Sequence, residues 1–113
     1  MTFEQGDIVS INFDPSKRHE PAVRHYALVI SPWSINKMSA LTVVAPITST
    51  DNRYPLHVPI GFDNPINGFV QCEAIRAMDL EIRVQNGSLE RIGQLDDETL
   101  REVMAYVAAV VGL

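Results

Sequence analysis

A mainly β domain with one C-terminal helix (α+β) is the fold class that this sequence predicts. Most of the chain consists of short segments rich in Val, Ile and Thr, separated by Pro, Gly and Asn, which is the pattern of short strands and turns. From residue 96 onward, apolar residues recur instead at helical spacing. With 113 residues, the chain has the length of one domain, residues 1–113, and we expect it to bury a single modest core.

The first two predicted strands lie on either side of a polar loop. From Asp7 to Phe13, apolar and polar residues alternate, which predicts a half-buried strand that enters a turn. Tyr26 to Ser31 is more uniformly apolar, as expected for a central strand of a small barrel or sandwich. Pro32 ends that strand, and Trp33 to Lys37 is predicted to form a turn or a single helical turn.

Prolines mark the positions expected at the edges of the sheet. Leu41 to Ile47 is rich in β-forming residues, but Pro46 has no N–H to donate. We therefore expect this end of the strand at an edge or a bulge, with Thr48 to Thr50 released from regular pairing. Leu56 to Ile60 contains one proline and follows another, so it is predicted to be an edge strand.

The segment from Gly68 to Ala74 is predicted to be a strand with two different faces. Period-two alternation places Phe69, Gln71 and Glu73 on one face and smaller apolar residues on the other. The polar face is either a solvated outer surface or part of a functional site. Further short strands, with a turn at Asn86-Gly87-Ser88, are expected between residues 76 and 91.

The C-terminal segment is predicted to be an amphipathic helix. Asp96 or Asp97 is expected to cap it, and Glu98 suits the positive end of the helix dipole. Its apolar stripe is expected to pack in the core or in a dimer interface, and consists of Leu100, Val103, Met104, Val107, Val110 and Val111.

Composition narrows the classes of function. Apolar residues make up 46% of the chain and charged residues 20%, which excludes a disordered or fibrous protein. No run approaches the roughly 18 apolar residues of a membrane span, and the N-terminus lacks the features of a signal peptide, so we expect a cytoplasmic protein with no membrane partner. The single Cys72 excludes an intramolecular disulfide, and its apolar neighbours predict a small buried side chain.

The acidic residues are unevenly distributed. The net charge of −5 by itself argues against a nucleic-acid partner. However, residues 1–60 hold five acidic and five basic side chains with all three histidines, whereas residues 61–113 hold nine acidic and four basic side chains. The N-terminal half can therefore still form a neutral or basic face.

The polar loop between the first two strands collects most of the reactive groups. It contains Lys17, Arg18, His19, Glu20, Arg24 and His25. A carboxylate, two imidazoles and several cations are the groups that acid–base chemistry beside a phosphate requires. A solvated surface turn remains the alternative interpretation.

The chain lacks the common motifs of metal, nucleotide and serine-nucleophile sites. It has no HExxH, no paired Cys/His set, no P-loop, no GxGxxG and no GxSxG, so we expect neither a metal nor a cofactor. Metal-free acid–base cleavage of RNA remains, in which the 2′-hydroxyl is the internal nucleophile. The candidates are Glu20 or Glu73 as the base, His19 or His25 as the acid, and Arg24 with Thr48 or Ser49 on the phosphate.

Four blocks of the sequence resemble one known family. Gly6 to Pro32 (GDIVSINFDPSKRHEPAVRHYALVISP) is similar to the opening of the MazF/PemK toxins. Three later blocks match that family in the same order: PITS at Pro46 to Ser49, YPLHVPI at Tyr54 to Ile60 and GFVQCEAIRAMD at Gly68 to Asp79. The resemblance therefore covers nearly the whole chain.

The resemblance implies a fold, an activity and partners. It implies an SH3-like β-barrel with a terminal helix that forms a homodimer. It also implies the toxin of a type II toxin–antitoxin system, a sequence-specific, metal-independent endoribonuclease that cuts single-stranded RNA, especially mRNA, to a 2′,3′-cyclic phosphate and a 5′-hydroxyl. A cognate antitoxin is the implied protein partner.

Some site residues match the family and others depart from it. Glu20 matches the family's loop glutamate, His19 matches a histidine of the plasmid-encoded branch, and Thr48 matches its catalytic or phosphate-binding threonine. His25 occupies the position of the family's arginine, and Arg24 lies one residue earlier, which on a strand means the other face. Imidazole has a reference pKa near 6.5, so a cationic role for His25 implies activity that rises as the pH falls toward 6.

The plasmid-encoded branch also has an arginine and an aspartate where this chain has Gln71 and Glu73. Arg76 and Asp79 match a recurrent Arg-x-x-Asp, which we interpret as a structural ion pair. Phe69 or Trp33 is a candidate for stacking on an unpaired base. The full set is therefore His19, Glu20, His25 and Thr48 as catalytic residues, with Arg24, Ser49, Gln71, Glu73 and Phe69 as RNA-binding residues.

A second class of function remains open. The gyrase poison CcdB resembles this family in fold and acts by binding a protein target. Loss of the arginine favours such a weakened or non-enzymatic toxin, whereas the retained His19, Glu20 and Thr48 favour the enzyme. Target poisoning is expected to survive a Glu20→Gln substitution, and acid–base cleavage is not.

Overall fold

One antiparallel sheet and three helices make up the described part of the chain. The structure is a computed structural model that describes residues 2–12 and 24–113, apart from the side chain of Arg24. Its elements are β1 (Asp7–Asn12), β2 (Arg24–Val29), α1 (Trp33–Met38), β3 (Thr42–Thr48), β4 (His57–Ile60), β5 (Gly68–Gln71), β6 (Arg76–Met78), α2 (Leu80–Gln85), β7 (Leu89–Gln94) and α3 (Asp97–Val110).

The strands follow the order β4-β5-β3-β2-β1-β7, and β6 pairs with β3 beside β5. The positions predicted for two strands are confirmed, because β2 lies between β1 and β3 and β4 lies at one end of the order. All the pairings are antiparallel. The mainly β fold with a C-terminal helix is likewise confirmed.

The expectation for Pro46 is wrong. This proline lies inside β3, an interior strand, opposite Ala27 of β2. On its other side, β3 pairs with β6 as far as Val44 and with β5 only from Ile47 onward, so Pro46 lies beside the break between those two strands. Thr48 also stays in the ladder, where it pairs with Phe69.

The chain packs buried residues on both faces of the sheet, not into a single core. One cluster contains Ile8 and Leu28 together with Val103 and Val107 of α3. The second cluster contains Val9, Ile11, Val29, Val44, Met78 and Leu80. Since successive residues of β1 supply both clusters, β1 is buried on both faces and the half-buried strand predicted from its alternation is wrong.

A buried carboxylate ties the beginning of β1 to the end of β7. Asp7 is fully buried and accepts hydrogen bonds from the Glu4 N–H at 2.8 Å and from Gln94 Nε2 at 3.0 Å. Arg91 Nε lies 3.3 Å from the same carboxylate. A buried charge is tolerated when it is paired and hydrogen-bonded in this way.

The two short helices compare differently with the prediction. Trp33–Met38 forms a six-residue helix, which agrees with the helical alternative predicted there, whereas Leu80–Gln85 forms a helix where further strands were expected. The Asp79 side chain caps α2 by accepting a hydrogen bond from the Ile82 N–H at 3.2 Å. No helix in the described ranges is long and apolar enough to span a membrane.

The predicted cap of α3 is confirmed. The Asp96 carboxylate accepts hydrogen bonds from the Thr99 N–H at 3.0 Å and from Asn64 Nδ2 at 2.9 Å. Hydrogen bonds from the side chain and then the backbone N–H of Thr99, followed by the Asn64 amide, lower the pKa of Asp96 from 3.8 to about 2. The cap therefore favours the ionised carboxylate.

We expect Asp96→Ala to lower Tm by several degrees at pH 6, because α3 loses its cap. The folded-state pKa lies below the unfolded one, so the charged group stabilises the fold above about pH 4 and stops doing so as the pH falls through about 2. Thermal unfolding at pH 6, 4 and 2 should show the gap between the two proteins closing. Asp97→Ala removes a neighbouring carboxylate without the cap and is the control; a gap that stays constant with pH would contradict this account.

Candidate functional site

Backbone register places four of the nine predicted site residues on one face of the sheet. In β2, His25 and Ala27 share a face, and Ala27 lies opposite Pro46 of β3. Two residues further along β3, Thr48 lies opposite Phe69 of β5. Since directly opposed residues project to the same side of a sheet, His25, Thr48, Phe69 and Gln71 all share this face.

A cavity of about 200 Å³ opens where these strands meet, and we call it the central cavity. Its polar lining is His25, Thr48, Gln71 and Arg76. Its apolar floor includes Ile11, Ala27, Val44 and Met78, which also belong to the second core cluster. The polar side chains therefore surround apolar residues that are packed in the protein core.

Two further cavities continue from the central cavity. The middle cavity, about 260 Å³, shares His25 and Thr48 with it and adds Ser49 and Asn67. The outer cavity, about 300 Å³, shares Ser49 and Asn67 with the middle one. Together the three form one groove, and its outer end is lined by Pro59, Ile60, Phe62, Gly68 and Phe69. The groove thus brings together the predicted residues His25, Thr48, Ser49, Phe69 and Gln71.

The hydroxyl of Thr48 is held at the end of β3. Its Oγ1 accepts a hydrogen bond from the Thr50 N–H at 3.2 Å, and the side chain is half-buried. A hydroxyl oxygen fixed by an accepted hydrogen bond still has its proton to donate. Thr48 is therefore arranged to donate to an anionic group in the central or middle cavity.

Glu73 does not occupy the place that its alternation predicts. The strand ends at Gln71, and a turn follows in which the Ala74 N–H donates to the Gln71 carbonyl at 3.1 Å. Period-two alternation therefore stops before Glu73. Its side chain does not line any of the three cavities of the groove.

Glu73 instead forms a pair with His57, a residue that the sequence analysis did not select. His57 Nε2 lies 3.1 Å from both carboxylate oxygens, and only Oε2 has hydrogen-bond geometry. The His57 side chain is 7% exposed and that of Glu73 is 30% exposed. The Tyr54 ring packs at a tilt against the imidazole, with 5.1 Å between ring centroids.

The His57–Glu73 pair is incompletely satisfied. His57 Nδ1 and Glu73 Oε1 are buried without a hydrogen-bond partner among the described residues. Burying a polar atom without a hydrogen-bond partner destabilises the folded state. The hydrogen bond between His57 Nε2 and Glu73 Oε2 offsets this cost. His57 lies in β4 directly opposite Gln71 of β5. Only this strand pairing, and no pattern in the sequence, shows that His57 is near the predicted site residues.

Arg76 supplies a cation to the central cavity. The ion pair of Arg76 with Asp79 that the sequence suggested stays a prediction, and the Asp79 carboxylate also caps α2. Arg76 begins β6, which pairs with β3, and its side chain lines the cavity beside His25 and Thr48. The guanidinium is suited to contact a phosphate at this position.

The interpretation of Cys72 as a small buried side chain is confirmed. Cys72 is fully buried, and its pKa is raised to about 11, first by that burial and then by the negative charges of Glu73 and Glu102. A protonated, buried thiol is a poor nucleophile. In residues 2–12 and 24–113, no group of three or more His, Cys, Asp or Glu side chains is arranged to hold a metal ion.

Three predicted site residues are not described as side chains. His19 and Glu20 lie outside the described residues, and so does the side chain of Arg24. The backbone of Arg24 begins β2 opposite Asn12, and His25 follows it opposite Ile11. The end of β2 that carries His25 therefore connects directly to the segment that contains His19 and Glu20.

Comparisons with known proteins agree with this fold. Residues 4–111 match the family model for the PemK-like, MazF-like toxin of type II toxin–antitoxin systems. The endoribonuclease toxin ChpB of Escherichia coli strain K12 is 38% identical, in a match that covers 96% of this chain and 94% of ChpB. The endoribonuclease toxin MazF of the same strain is 24% identical over 96% of this chain and 94% of MazF.

Solved structures extend the comparison to three dimensions. MazF from Deinococcus radiodurans (Form-I) has a TM-score of 0.80 and 27% identity, and covers 100% of this chain and 99% of its own. A MazE–MazF structure (Form-II) from the same organism has a TM-score of 0.82 and 25% identity, and covers 100% of this chain and 98% of its own. The fold described above is therefore that of MazF.

We expect His57 and Glu73 to be energetically coupled. In a double-mutant cycle of His57→Ala, Glu73→Ala and the double variant, urea unfolding should give a coupling free energy of roughly 0.5–3 kcal/mol, as for residues in direct polar contact. The same cycle between His57 and Glu90, an exposed carboxylate of β7, is the control and should give a value near zero. Equal values from the two cycles would show that the contact does not stabilise the fold.

Proposed function

The chain belongs to the PemK-like, MazF-like toxins of type II toxin–antitoxin systems, and on that basis we propose that it cleaves single-stranded mRNA at a specific short sequence. The proposed reaction needs no metal and leaves a 2′,3′-cyclic phosphate and a 5′-hydroxyl. The observation that supports it best is the central cavity, where an imidazole, a hydroxyl, an amide and a guanidinium converge. These groups match the requirements of acid–base cleavage at a phosphodiester.

The proposed mechanism divides the reaction between a base, an acid and phosphate ligands. Glu20 takes the proton of the 2′-hydroxyl, whose oxygen attacks the adjacent phosphorus. The P–O5′ bond breaks as His25, or alternatively His19, gives a proton to the departing oxygen. Thr48 donates to the phosphate, whose negative charge grows in the transition state.

Cations complete the proposed phosphate site. Arg76 supplies positive charge, and Ser49 and Gln71 supply hydrogen-bond donors along the groove. Since His25 stands in place of the family's arginine, Arg76 offers a permanent charge that an imidazole lacks. Phosphate contacts of this kind position RNA without reading its sequence.

The proposed partners follow from the family. Type II systems pair each toxin with an antitoxin, and one matching structure contains MazE with MazF, so a cognate antitoxin is the proposed protein partner. We also propose a homodimer, since Val111 and Leu113 leave apolar surface exposed after α3. The cytoplasm, where mRNA is found, is the proposed location.

Cleavage is expected in excess EDTA. The purified protein, incubated with a long unstructured RNA, should cut at a recurring short motif and leave cyclic-phosphate ends. Glu20→Gln should lower the rate roughly 100- to 10,000-fold because the base is lost, and Thr48→Val should lower it roughly 100- to 1,000-fold because a donor is lost. The nearby Thr50→Val, which lies outside the groove lining, is the matched control.

The same assay, together with growth inhibition, decides between the two classes of toxin. A requirement for added metal would refute the proposed mechanism. No cleavage by the wild-type protein, with growth inhibition that survives Glu20→Gln, would instead identify a toxin that acts by binding a protein.

A cationic role for His25 predicts a distinctive pH profile. Imidazole gains charge as the pH falls toward 6, whereas guanidinium is charged throughout, so the wild-type rate should rise from pH 8 to pH 6 relative to His25→Arg. Single-turnover cleavage of one RNA at several pH values measures the ratio. His25→Ala shows whether either side chain contributes, and a ratio that does not change with pH would refute the cationic role.

A further inference from the structure

The outer cavity differs in chemistry from the rest of the groove. Its lining is mostly apolar, with Pro59, Ile60, Phe62 and Phe69, and its polar side chains are Ser49 and Asn67. The side chain of Phe62 is 96% exposed, which leaves nearly its whole aromatic surface in solvent. An exposed aromatic side chain beside a cavity of about 300 Å³ is a surface on which a flat ligand can stack.

Strand pairing fixes the distance between this cavity and the proposed cleavage site. Phe69 lies directly opposite Thr48 on one side and Pro59 on the other. Neighbouring strands are roughly 4.8 Å apart, so Phe69 is one strand spacing from Thr48 and Pro59 is two. The middle cavity shares its residues with the other two, so the outer cavity is continuous with the cavity that Thr48 lines.

Gly68 makes this close approach possible. A Cβ at this position would lie 2.7 Å from the Thr48 carbonyl oxygen, and the residue has φ +143°, a backbone conformation that favours glycine. The backbone of β5 therefore passes directly against the end of β3. Asn67 and Phe69, on either side of the glycine, are held beside Thr48 as a result.

We propose that the outer cavity is a nucleobase subsite, in which one unpaired base next to the cleaved phosphate stacks on Phe62 and is selected by Asn67. This inference rests on the proposed ribonuclease function and adds the residues that determine its sequence preference. Aromatic side chains stack on bases of single-stranded RNA whatever their identity. Phe62 therefore supplies affinity, and Phe69 forms the wall between the subsite and Thr48.

Asn67 supplies the selection. Its amide presents one acceptor and two donors, and this combination matches a base edge with an adjacent donor and acceptor, as adenine has at N6 and N7. The side chain is exposed and lines both the middle and the outer cavity. A base that reaches the cavity from the cleavage site therefore meets this amide first.

The experiment compares four proteins on a pool of RNAs with randomised sequence, with the cleavage ends mapped. Phe62→Ala should lower kcat/KM roughly 5- to 150-fold, the range for loss of one stacked base. Asn67→Ala should cleave with a relaxed preference at one motif position and the same preference elsewhere. Met38→Ala, whose side chain is 78% exposed on α1 and outside the groove, is the control for loss of an exposed apolar side chain.

A substrate without the base tests the contact directly. An RNA that is abasic at the relaxed position loses both contacts, so it should lower the wild-type rate at least as much as Phe62→Ala does, and it should lower the rate of Phe62→Ala by a smaller factor than it lowers the wild-type rate. Independent, multiplied losses would overturn the subsite. So would a Phe62→Ala variant with unchanged cleavage that binds only the antitoxin more weakly, since the cavity would then accommodate a protein side chain.

Failure of the subsite and failure of the proposed function give different results. If the wild-type protein cleaves, and Phe62→Ala and Asn67→Ala cut the same motif at the same rate, only the subsite is refuted. If the wild-type protein neither cleaves RNA nor binds a single-stranded DNA oligonucleotide of mixed sequence by fluorescence anisotropy, both are refuted. If it binds the oligonucleotide without cleaving it or RNA, weaker binding by Phe62→Ala supports the subsite and equal binding refutes it.

Discussion

The register between β1, β2 and β3 is the constraint on which the rest of the structure depends. It places Ile8 and Leu28 on the face covered by α3, and Val9, Ala27 and Val44 on the opposite face. A slip of one residue would exchange the two faces along the whole strand. Because Ala27 and Val44 also form the floor of the central cavity, the register that packs the second core cluster also builds the site. The strands that carry the polar side chains are therefore positioned by core packing. Acid–base catalysis requires groups that are held in a fixed geometry.

The sequence predicted a helix or strand correctly where its local pattern agreed with the tertiary contacts of the segment. The prediction failed where the local pattern and the tertiary contacts favoured different structures. The uniformly apolar run of β2 and the prolines around β4 identified a central strand and an edge strand correctly. In Leu80–Gln85, however, Leu80, Ile82 and Val84 alternate as they would in a strand, yet the segment is a helix. The cap by Asp79 and the burial of Leu80 decide the outcome there, and neither is visible in the alternation itself. Tertiary contacts override local patterns in short segments.

The same distinction separates the site residues that sequence reasoning placed from those it missed. Period two was enough to put Phe69 and Gln71 on one face, but the alternation ended with the strand, and Glu73 turned to His57. His57 and Arg76 reach their positions through pairings of β4 with β5 and of β6 with β3. Those pairings join segments that are distant in sequence, so spacing along the chain does not reveal them. The sequence therefore predicted which residues within one segment share a face, but it did not predict which residues of different strands line the groove together.

Local charge reconciles an acidic protein with the polyanionic substrate that we propose for it. The net charge is −5, yet no carboxylate is among the described residues that line the three cavities, whereas Arg76 and His25 are. Glu73 pairs with His57 and does not line the groove, and several acidic residues lie along α3 at Asp97, Glu98 and Glu102. Exposed charges are largely screened beyond roughly 8 Å at physiological ionic strength. Since α3 covers the face of the sheet opposite the central cavity, its carboxylates are separated by the sheet from a phosphate that binds there, and the acidic surface disfavours RNA that binds elsewhere.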